Sequence, residues 1–265
     1  MKTILITGAA SGIGHAAAVY FAERGYAVIA LDILEVAPRE GIRPFLADVT
    51  DEAALLAVRD TLAAEGVILD AILTVAGMHR MASFVEGDFA VIRRLLDVNL
   101  LGVMLTNRIL HSLLAPGGRI VILTSEVGTY DPLPFNGLYT VSKCALESYA
   151  QALRQELSLL GQKVVTVRPG AVETPLVGGT AAAAERLERE TRLFRREAVH
   201  FTRLTVRFMG TPIKPEKLAP TLFRAVTAKH PRLSYAKHRH PGLVLLSCLP
   251  KRLQCAIVGL LLKRK

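Results

Sequence analysis

Short apolar runs and longer amphipathic stretches alternate along the first two thirds of the chain. Ile4-Leu5-Ile6 is an apolar run closed by Thr7-Gly8, which reads as a first strand. A helix is expected from about Gly12 to Arg24, with Ala16, Val19, Tyr20 and Phe21 among its apolar positions and Gly25 as its stop. Ala27–Leu31 reads as a second strand and Arg43–Leu46 as a brief third. Thr50-Asp51-Glu52 opens a helix to about Ala64, with acids in its first turn. Ala71–Val75 is the fourth strand, and a long helical segment is expected over Asp88–Leu114. Pro116-Gly117-Gly118 marks a turn before a fifth strand, Arg119–Thr124. Another long helix is expected from Gly137 to Leu160. Lys163–Arg168 is the sixth strand, ended by Pro169-Gly170.

Strands alternating with helices are the signature of βαβ units and a parallel sheet. The fifth strand, Arg119-Ile-Val-Ile-Leu-Thr124, is almost continuously apolar, as burial on both faces requires. The expected class is α/β with a doubly wound parallel sheet. One domain covers residues 1–240, and a basic, apolar helical extension covers 241–265. Ala181–Val199 is a charged helical stretch with an alanine-rich start, read either as a mobile flap or as a solvated surface helix.

The bulk numbers narrow this picture. The chain has 265 residues, 51% apolar and 21% charged, which is globular rather than disordered. Three cysteines, Cys144, Cys248 and Cys255, show no paired framework, which points to a reducing compartment and a cytoplasmic setting. The opening MKTILITGAASGIG lacks the apolar region and cleavage site of a signal peptide. No apolar stretch reaches the ~20 residues that span a bilayer. The net charge of +10 is uneven: Lys217 to Lys265 holds eleven Lys or Arg and no Asp or Glu. Such a tail on a near-neutral body calls for a local anionic surface.

The turn Thr7-Gly8-Ala9-Ala10-Ser11-Gly12-Ile13-Gly14 lies between a predicted strand and a predicted helix. Glycines let backbone turn tightly beside a pyrophosphate, and the helix N-terminus offers free N–H groups to it. Asp32 follows Gly12 by twenty positions, where an acid bonds ribose hydroxyls and repels a 2′-phosphate. This is the Rossmann arrangement, and it favours NAD over NADP. Arg39 and Arg43 lie near enough in sequence to argue the other way. A cap or turn role for Asp32 is the plain structural alternative.

With these residues in order, the sequence resembles a short-chain dehydrogenase/reductase of the compact branch, over roughly Met1 to Leu176. Gly8, Ser11, Gly12, Ile13 and Gly14 resemble the family's cofactor turn, and Asp48-Val49 its adenine-side pair. Ala76-Gly77 resembles the end of its fourth-strand motif, although Thr74-Val75 stands where the family has two asparagines. Asn99, Ser125, Tyr139 and Lys143 resemble its catalytic set. Pro169, Gly170, Val172 and Thr174 resemble the segment that closes over nicotinamide. The resemblance implies an NAD(P)-dependent alcohol dehydrogenase or ketone reductase, working as a homodimer or homotetramer through two long helices. Lys143 would then also bond the nicotinamide ribose, and Asn99 would hold a water on the proton path.

Tyr139 and Lys143 fall one helical turn apart on one face. A free phenol titrates near 10 and is a poor base at neutral pH. A nearby ammonium favours the phenolate, and bringing it near neutrality needs ~4 kcal/mol of differential stabilisation. The expectation is that the Lys143 charge together with an oxidised nicotinamide lowers the pKa of Tyr139 in a dry cleft, and that Tyr139 then removes the proton of a substrate hydroxyl. Ser125 would hold the substrate oxygen. Taken alone, the pair reads equally as a core aromatic and a solvated lysine. Cys144 has no suitably placed histidine partner and reads as a small buried residue. The histidines His79, His111, His200, His230, His238 and His240 lack metal-site spacing, so no metal is assigned.

Segments after strands four, five and six would face the substrate. They carry Met78, Met81 and Phe84, then Leu133, Phe135 and Leu138, then Leu176 and Val177. Met78, Phe84, Phe135 and Leu176 are the candidate contacts, and their apolar character suggests a hydrophobic alcohol or ketone. The last 25 residues hold two uncharged runs of ten, split and flanked by bases. Either they lie on anionic lipid or they pack on protein. Nucleic acid is excluded as a partner, because no stacking aromatics accompany the charge. Two rival readings remain: a dinucleotide sensor without turnover, and a nucleotide-sugar epimerase.

Overall fold

A computed structural model describes residues 1–208 and 211–263, with backbone alone for 175–182 and 206–208. Seven strands form one sheet: β1 (Thr3–Thr7), β2 (Ala27–Asp32), β3 (Ile42–Leu46), β4 (Leu69–Thr74), β5 (Leu114–Leu123), β6 (Lys163–Pro169) and β7 (Ser234–Lys237). Their order is β3-β2-β1-β4-β5-β6-β7, and every pairing is parallel. The order turns back between β1 and β4, so a crevice opens there beyond the carboxyl ends of the strands.

The helices are α1 (Gly12–Ala22), α2 (Glu52–Ala64), α3 (Phe89–Leu96), α4 (Gly102–Leu110) and α5 (Gly137–Ser158). They are followed by α6 (Pro175–Glu190), α7 (Arg195–Phe208), α8 (Ala219–Thr227), α9 (Pro241–Ser247) and α10 (Lys251–Leu262). The continuous apolar strands divide between two cores. Ile4, Ile6, Val121 and Val165 pack with Phe21 of α1 and Leu222 of α8 on one face. Leu5, Ile72, Ile120 and Val164 pack with Leu55 of α2, Leu110 of α4 and Leu146 of α5 on the other. Each Leu or Ile buried in this way contributes roughly 1.5–3 kcal/mol.

Two local expectations change. The helix expected over residues 88–114 is interrupted: a wide π turn, Asp97–Leu101, separates α3 from α4, and a 3-10 turn, His111–Leu113, ends the run. The wide turn carries Asn99, whose carboxamide bonds both backbone groups of Met78, accepting at 2.7 Å and donating at 2.9 Å. The Pro116–Gly118 turn lies inside a strand. Leu114 pairs with Leu69, the ladder resumes at Arg119 with Ala71, and the residues between bulge out with Gly117 at φ +72°.

The charged stretch 181–199 is neither fully solvated nor a single helix. Parts of α6 and α7 bury Ala183, Ala184, Leu187, Ala198 and Phe201 in a third, smaller core. Met81 and Phe135 join it from the loops after β4 and β5, and α10 adds Val258 and Leu262. This core caps one end of the cleft. The C-terminal segment is also tied to the loop after β5. Glu126 accepts from the His240 amide at 2.6 Å, and Asp131 meets Lys251 at 3.3 Å and Gln254 at 2.9 Å.

Candidate functional site

A cleft of about 440 Å³ runs across the switch point of the sheet. Its nucleotide end starts at the turn between β1 and α1. Gly8 sits at φ +69°, and a Cβ there would lie 2.8 Å from Ala76 Cα. A Cβ on Gly14 would lie 1.9 Å from the Gly8 carbonyl oxygen, so only glycine fits. Thr7 Oγ1 accepts from the amides of Val75 and Ala76 at 3.0 and 3.1 Å. That hydroxyl steadies the loop at the positions where the family's asparagines are missing. Ser11 caps α1 without a side-chain bond, so the first amides of the helix stay available to an anion.

Asp32 ends β2, where Oδ2 accepts from the Ala10 amide at 2.9 Å and Oδ1 from the Leu34 amide at 3.0 Å. Its carboxylate is thus aimed by backbone, half-exposed, along the cleft wall. The two nearby arginines are engaged elsewhere. Arg39 pairs with Glu23 at 3.1 Å, and Arg43 grips Glu65 through both guanidinium ends. Asp48 also lines the cleft, beside Val49. Arg94 donates to Asp48 at 2.8 Å and to Thr50 Oγ1 at 2.9 Å. Burial works against the Asp48 carboxylate, but the bonds from Arg94 and Thr50 prevail and hold its pKa below the usual range. Arg94 itself lines the cleft, with Val98 one turn later. No motif in the sequence marked Arg94. Its side chain becomes relevant only when α3 meets the loop after β3.

At the other end, Ser125 follows β5 and Tyr139 and Lys143 lie one turn apart on α5, all lining the cleft. The Ser125 hydroxyl acts on the Tyr139 phenol, pulling its pKa down against the effect of burial. Lys143 Nζ donates to the Leu123 carbonyl at 3.2 Å and lies 5.6 Å from the Tyr139 ring centre. Ala76, Gly77, Pro169, Gly170, Val172 and Thr174 complete this wall. Asn99 does not line the cleft. It is fully buried behind it, where its carboxamide fixes the Met78 backbone.

In the chain alone, burial rather than Lys143 sets the Tyr139 pKa. Burial pushes the phenol up to about 12, with the Ser125 hydroxyl only partly opposing it. Burial also depresses the Lys143 ammonium to about 8, against a weaker pull from Glu147. Burial disfavours the charged form of each, so each favours its neutral form more than it perturbs its neighbour. Glu147, one turn beyond Lys143, is held by Arg168 at 2.6 and 2.8 Å and by Thr124 at 2.6 Å. Cys144, expected to be buried, is half-buried, and burial raises its thiol pKa.

The substrate-side candidates separate. Met78 lines the cleft. Phe84 is 59% exposed and lies over Gly137. Phe135 is buried in the cap core instead, in a left-handed backbone conformation with φ +62°. The side chain of Leu176 lies outside the described residues. His79, given no role from spacing, is brought next to the phenol: its ring meets Tyr139 edge-on at 4.8 Å and bonds Asn136 at 2.8 Å. Burial lowers its pKa, so it is neutral at physiological pH. Among the described residues no group of three or more His, Cys, Asp or Glu is placed to hold a metal ion.

The sequence profile described as short chain dehydrogenase matches residues 2–185. The chain belongs to the short-chain dehydrogenase family. That family comprises NAD(P)-dependent oxidoreductases. The probable oxidoreductase EphD of Mycobacterium tuberculosis is 30% identical over 264 residues, covering 95% of this chain and 44% of its own length. The chain therefore spans less than half of that relative. The match still extends through most of the C-terminal third of this chain. The 1-hydroxy-2-glutathionyl-2-methyl-3-butene dehydrogenase of a Rhodococcus species is 32% identical over 182 residues, covering 66% of this chain and 80% of its own. A short-chain dehydrogenase structure from Streptomyces avermitilis superposes with a TM-score of 0.74 at 25% identity, over 98% of this chain and 94% of the other.

Proposed function

We propose that this short-chain dehydrogenase is an NAD-dependent alcohol dehydrogenase or ketone reductase for a hydrophobic secondary alcohol or ketone. The observation that carries this reading is the meeting of Ser125, Tyr139 and Lys143 at one end of a cleft whose other end is a glycine turn and an acid. A nicotinamide dinucleotide fits the residues present. The turn has room for backbone only, the α1 N-terminus is free for phosphate, and Asp32 is aimed at a ribose. When bound, that cofactor supplies the hydride, or accepts it.

The residues of the chain supply the rest. With its pKa near 12, Tyr139 stays protonated at neutral pH and serves as the proton donor to a substrate oxygen. Ser125, which lines the same end of the cleft, would hold that same oxygen and stabilise charge on it. Lys143, near 8, is poised to take up or release a proton close to physiological pH. Asn99 keeps the Met78 backbone in place against α5. The preference for NAD is supported by Asp32 and by the engagement of Arg39 and Arg43 with Glu23 and Glu65.

A hydrophobic substrate is supported by Met78 in the cleft and by the apolar cap beside it. Exposed Leu101 at the end of the π turn, Met104 on α4 and Val141 on α5 support self-association through those helices. Three unpaired cysteines among the described residues fit a cytoplasmic setting. A sensor without turnover has no need of the Ser125–Tyr139–Lys143 set, and no feature favours the epimerase reading. The test is a panel of ketones graded in size and polarity, with NADH or NADPH, read at nicotinamide absorbance. Reduction of apolar ketones with NADH is expected. Tight cofactor binding without turnover on any member would sink the enzyme reading, and a preference for NADPH would sink the reading of Asp32.

A further inference from the structure

Helix α10 is apolar on both sides but packs by only one. Val258 and Leu262 enter the cap core, and Gln254 on the same side bonds Asp131 and the Leu249 carbonyl. On the opposite side Leu253 is 46% exposed, Ala256 is exposed and Leu260 is 66% exposed. Leu253 and Leu260 are seven positions apart and so share a face. Leu245 of the neighbouring α9 is 69% exposed. Arg252 and Lys263 stand exposed beside this strip, and Lys251 lies close by. No acid occurs anywhere from Lys217 to Lys265.

We propose that the outward face of α9 and α10 docks on an anionic lipid surface, setting the substrate end of the cleft against the bilayer. Charge decides the occupant. A second copy bringing the same face would set bases against bases, since a two-fold contact pairs a patch with itself. Residues 241–265 contain no aromatic side chain, so neither the aromatic anchors of protein hot spots nor a stacking platform for nucleic acid is present. Leucines flanked by bases are instead the pattern of an interfacial helix, whose apolar side enters the headgroup boundary while its bases meet anionic heads. No helix among the described residues is long and apolar enough to cross a membrane, which leaves docking in the plane of the surface.

The location gives the docking a use. The inner face of α10 rests on the same small core as Met81 and Phe135, the loops that flank His79 and Asn136 beside Tyr139. A helix is about 10–12 Å across. A surface touching Leu253 and Leu260 therefore lies one helix thickness from the roof of the catalytic end. An apolar alcohol or ketone dissolved in lipid would have a short path to it. That use rests on the hydrophobic-substrate reading; the docking does not.

The experiment is co-sedimentation of the full chain with vesicles of phosphatidylcholine alone and of phosphatidylcholine with phosphatidylglycerol, at low and high salt. Each basic residue near an anionic surface strengthens binding by about fivefold, and salt screens that attraction over ~10 Å at 0.1 M. Binding to the anionic vesicles, lost in high salt, is expected. The pair Leu253→Glu and Leu260→Glu should weaken it by about tenfold or more, and Arg252→Ser with Lys263→Ser should do so with milder chemistry. Thermal melting and NADH titration should match wild type in both, because these side chains face outward. No sedimentation with anionic vesicles, or equal sedimentation of wild type and both variants, would overturn the proposal. So would concentration-dependent self-association that the leucine pair abolishes, since the face would then belong to a second copy. Sedimentation does not read turnover, so its failure leaves the oxidoreductase reading standing.

Discussion

Asp32 and Tyr139 line the same cleft on either side of the sheet's switch point, and they are held in different ways. Asp32 is aimed by two backbone amides and stays half-exposed, so its partners are fixed by the end of one strand. Tyr139 is also only partly exposed, but it is set among side chains: it meets the His79 ring edge-on at 4.8 Å, and burial of the phenol drives its pKa up to about 12. The carboxylate is placed by the backbone of its own turn. The phenol is placed by elements far apart in the chain. Burial makes a group respond to its whole surroundings, whereas a backbone-aimed group responds to its own turn.

The largest test of this contrast is Tyr139→Phe. It removes the phenol oxygen and leaves Asp32 and its turn intact. Turnover should fall by about 10²–10⁴-fold, the usual worth of a positioned acid or base. The dissociation constant for NADH, read by fluorescence titration, should stay close to wild type. A near-normal rate would place proton transfer on another group, His79 being the nearest titratable ring.

Lys143→Met should lower turnover by roughly 10²-fold or more while stabilising the fold. The ammonium sits near 8 in the folded chain against an ordinary 10.5, so folding opposes its charge. Between those values the unfolded chain binds more protons, and stability therefore rises with pH from about 8 to about 10.5. Below about 8 the penalty is fully present, on the order of 3 kcal/mol before the lost bond to Leu123 is subtracted. Urea denaturation should show the variant more stable than wild type at neutral pH, with the gap closing toward about pH 10. A variant less stable at neutral pH would mean that Lys143 is held by more than its one carbonyl.

The contrast also explains what could be read from the sequence. The glycine turn, Asp32 and the Tyr139–Lys143 spacing were legible because each is a local pattern: a strand, a turn and one helical face. The break between α3 and α4 was not, because Asn99 answers to the backbone of Met78 on another element. The burial that raises the Tyr139 pKa was hidden for the same reason: spacing reveals the lysine but not the elements packed around the phenol. Arg94 and His79 carry no motif, and they matter only through the elements that fold against them. The cap was hidden in a charged stretch whose few apolar side chains meet three other segments. The bulge at Pro116–Gly118 was half legible, since the turn was marked but the strand continuing past it was not.

At the nucleotide end, Asp32→Ala should raise the Michaelis constant for NAD and narrow its discrimination against NADP by about tenfold, the scale of a lost charged hydrogen bond. Turnover at saturating cofactor should change little, because Ser125, Tyr139 and Lys143 are untouched. If discrimination is unchanged in the variant, the carboxylate serves the turn at Ala10 and Leu34 rather than the ribose.

The smallest expected effect separates the substrate end from both. Glu86, in the loop after β4, accepts from Thr191 Oγ1 and from the amides of Arg192 at 3.0 Å and Leu193 at 3.2 Å. Arg80, in the same loop, grips Glu190 with bonds of 2.8 and 2.9 Å. One ion pair and one carboxylate held by neutral donors thus join the loop after β4 to the end of α6 and the turn that follows it. The Thr191 bond and the two amides hold the Glu86 pKa below the usual carboxylate range, so the tie persists into mildly acidic solution. Glu86→Gln keeps the shape, loses the charge and turns an N–H toward donors. The group is exposed, and exposed ion pairs and bonds are individually weak. The expected result is a Michaelis constant for the ketone raised by about threefold, with turnover number and NADH affinity near wild type. A fall in turnover number instead would mean that the cap positions the catalytic end, and that the packing around Tyr139 extends as far as α6 and α7.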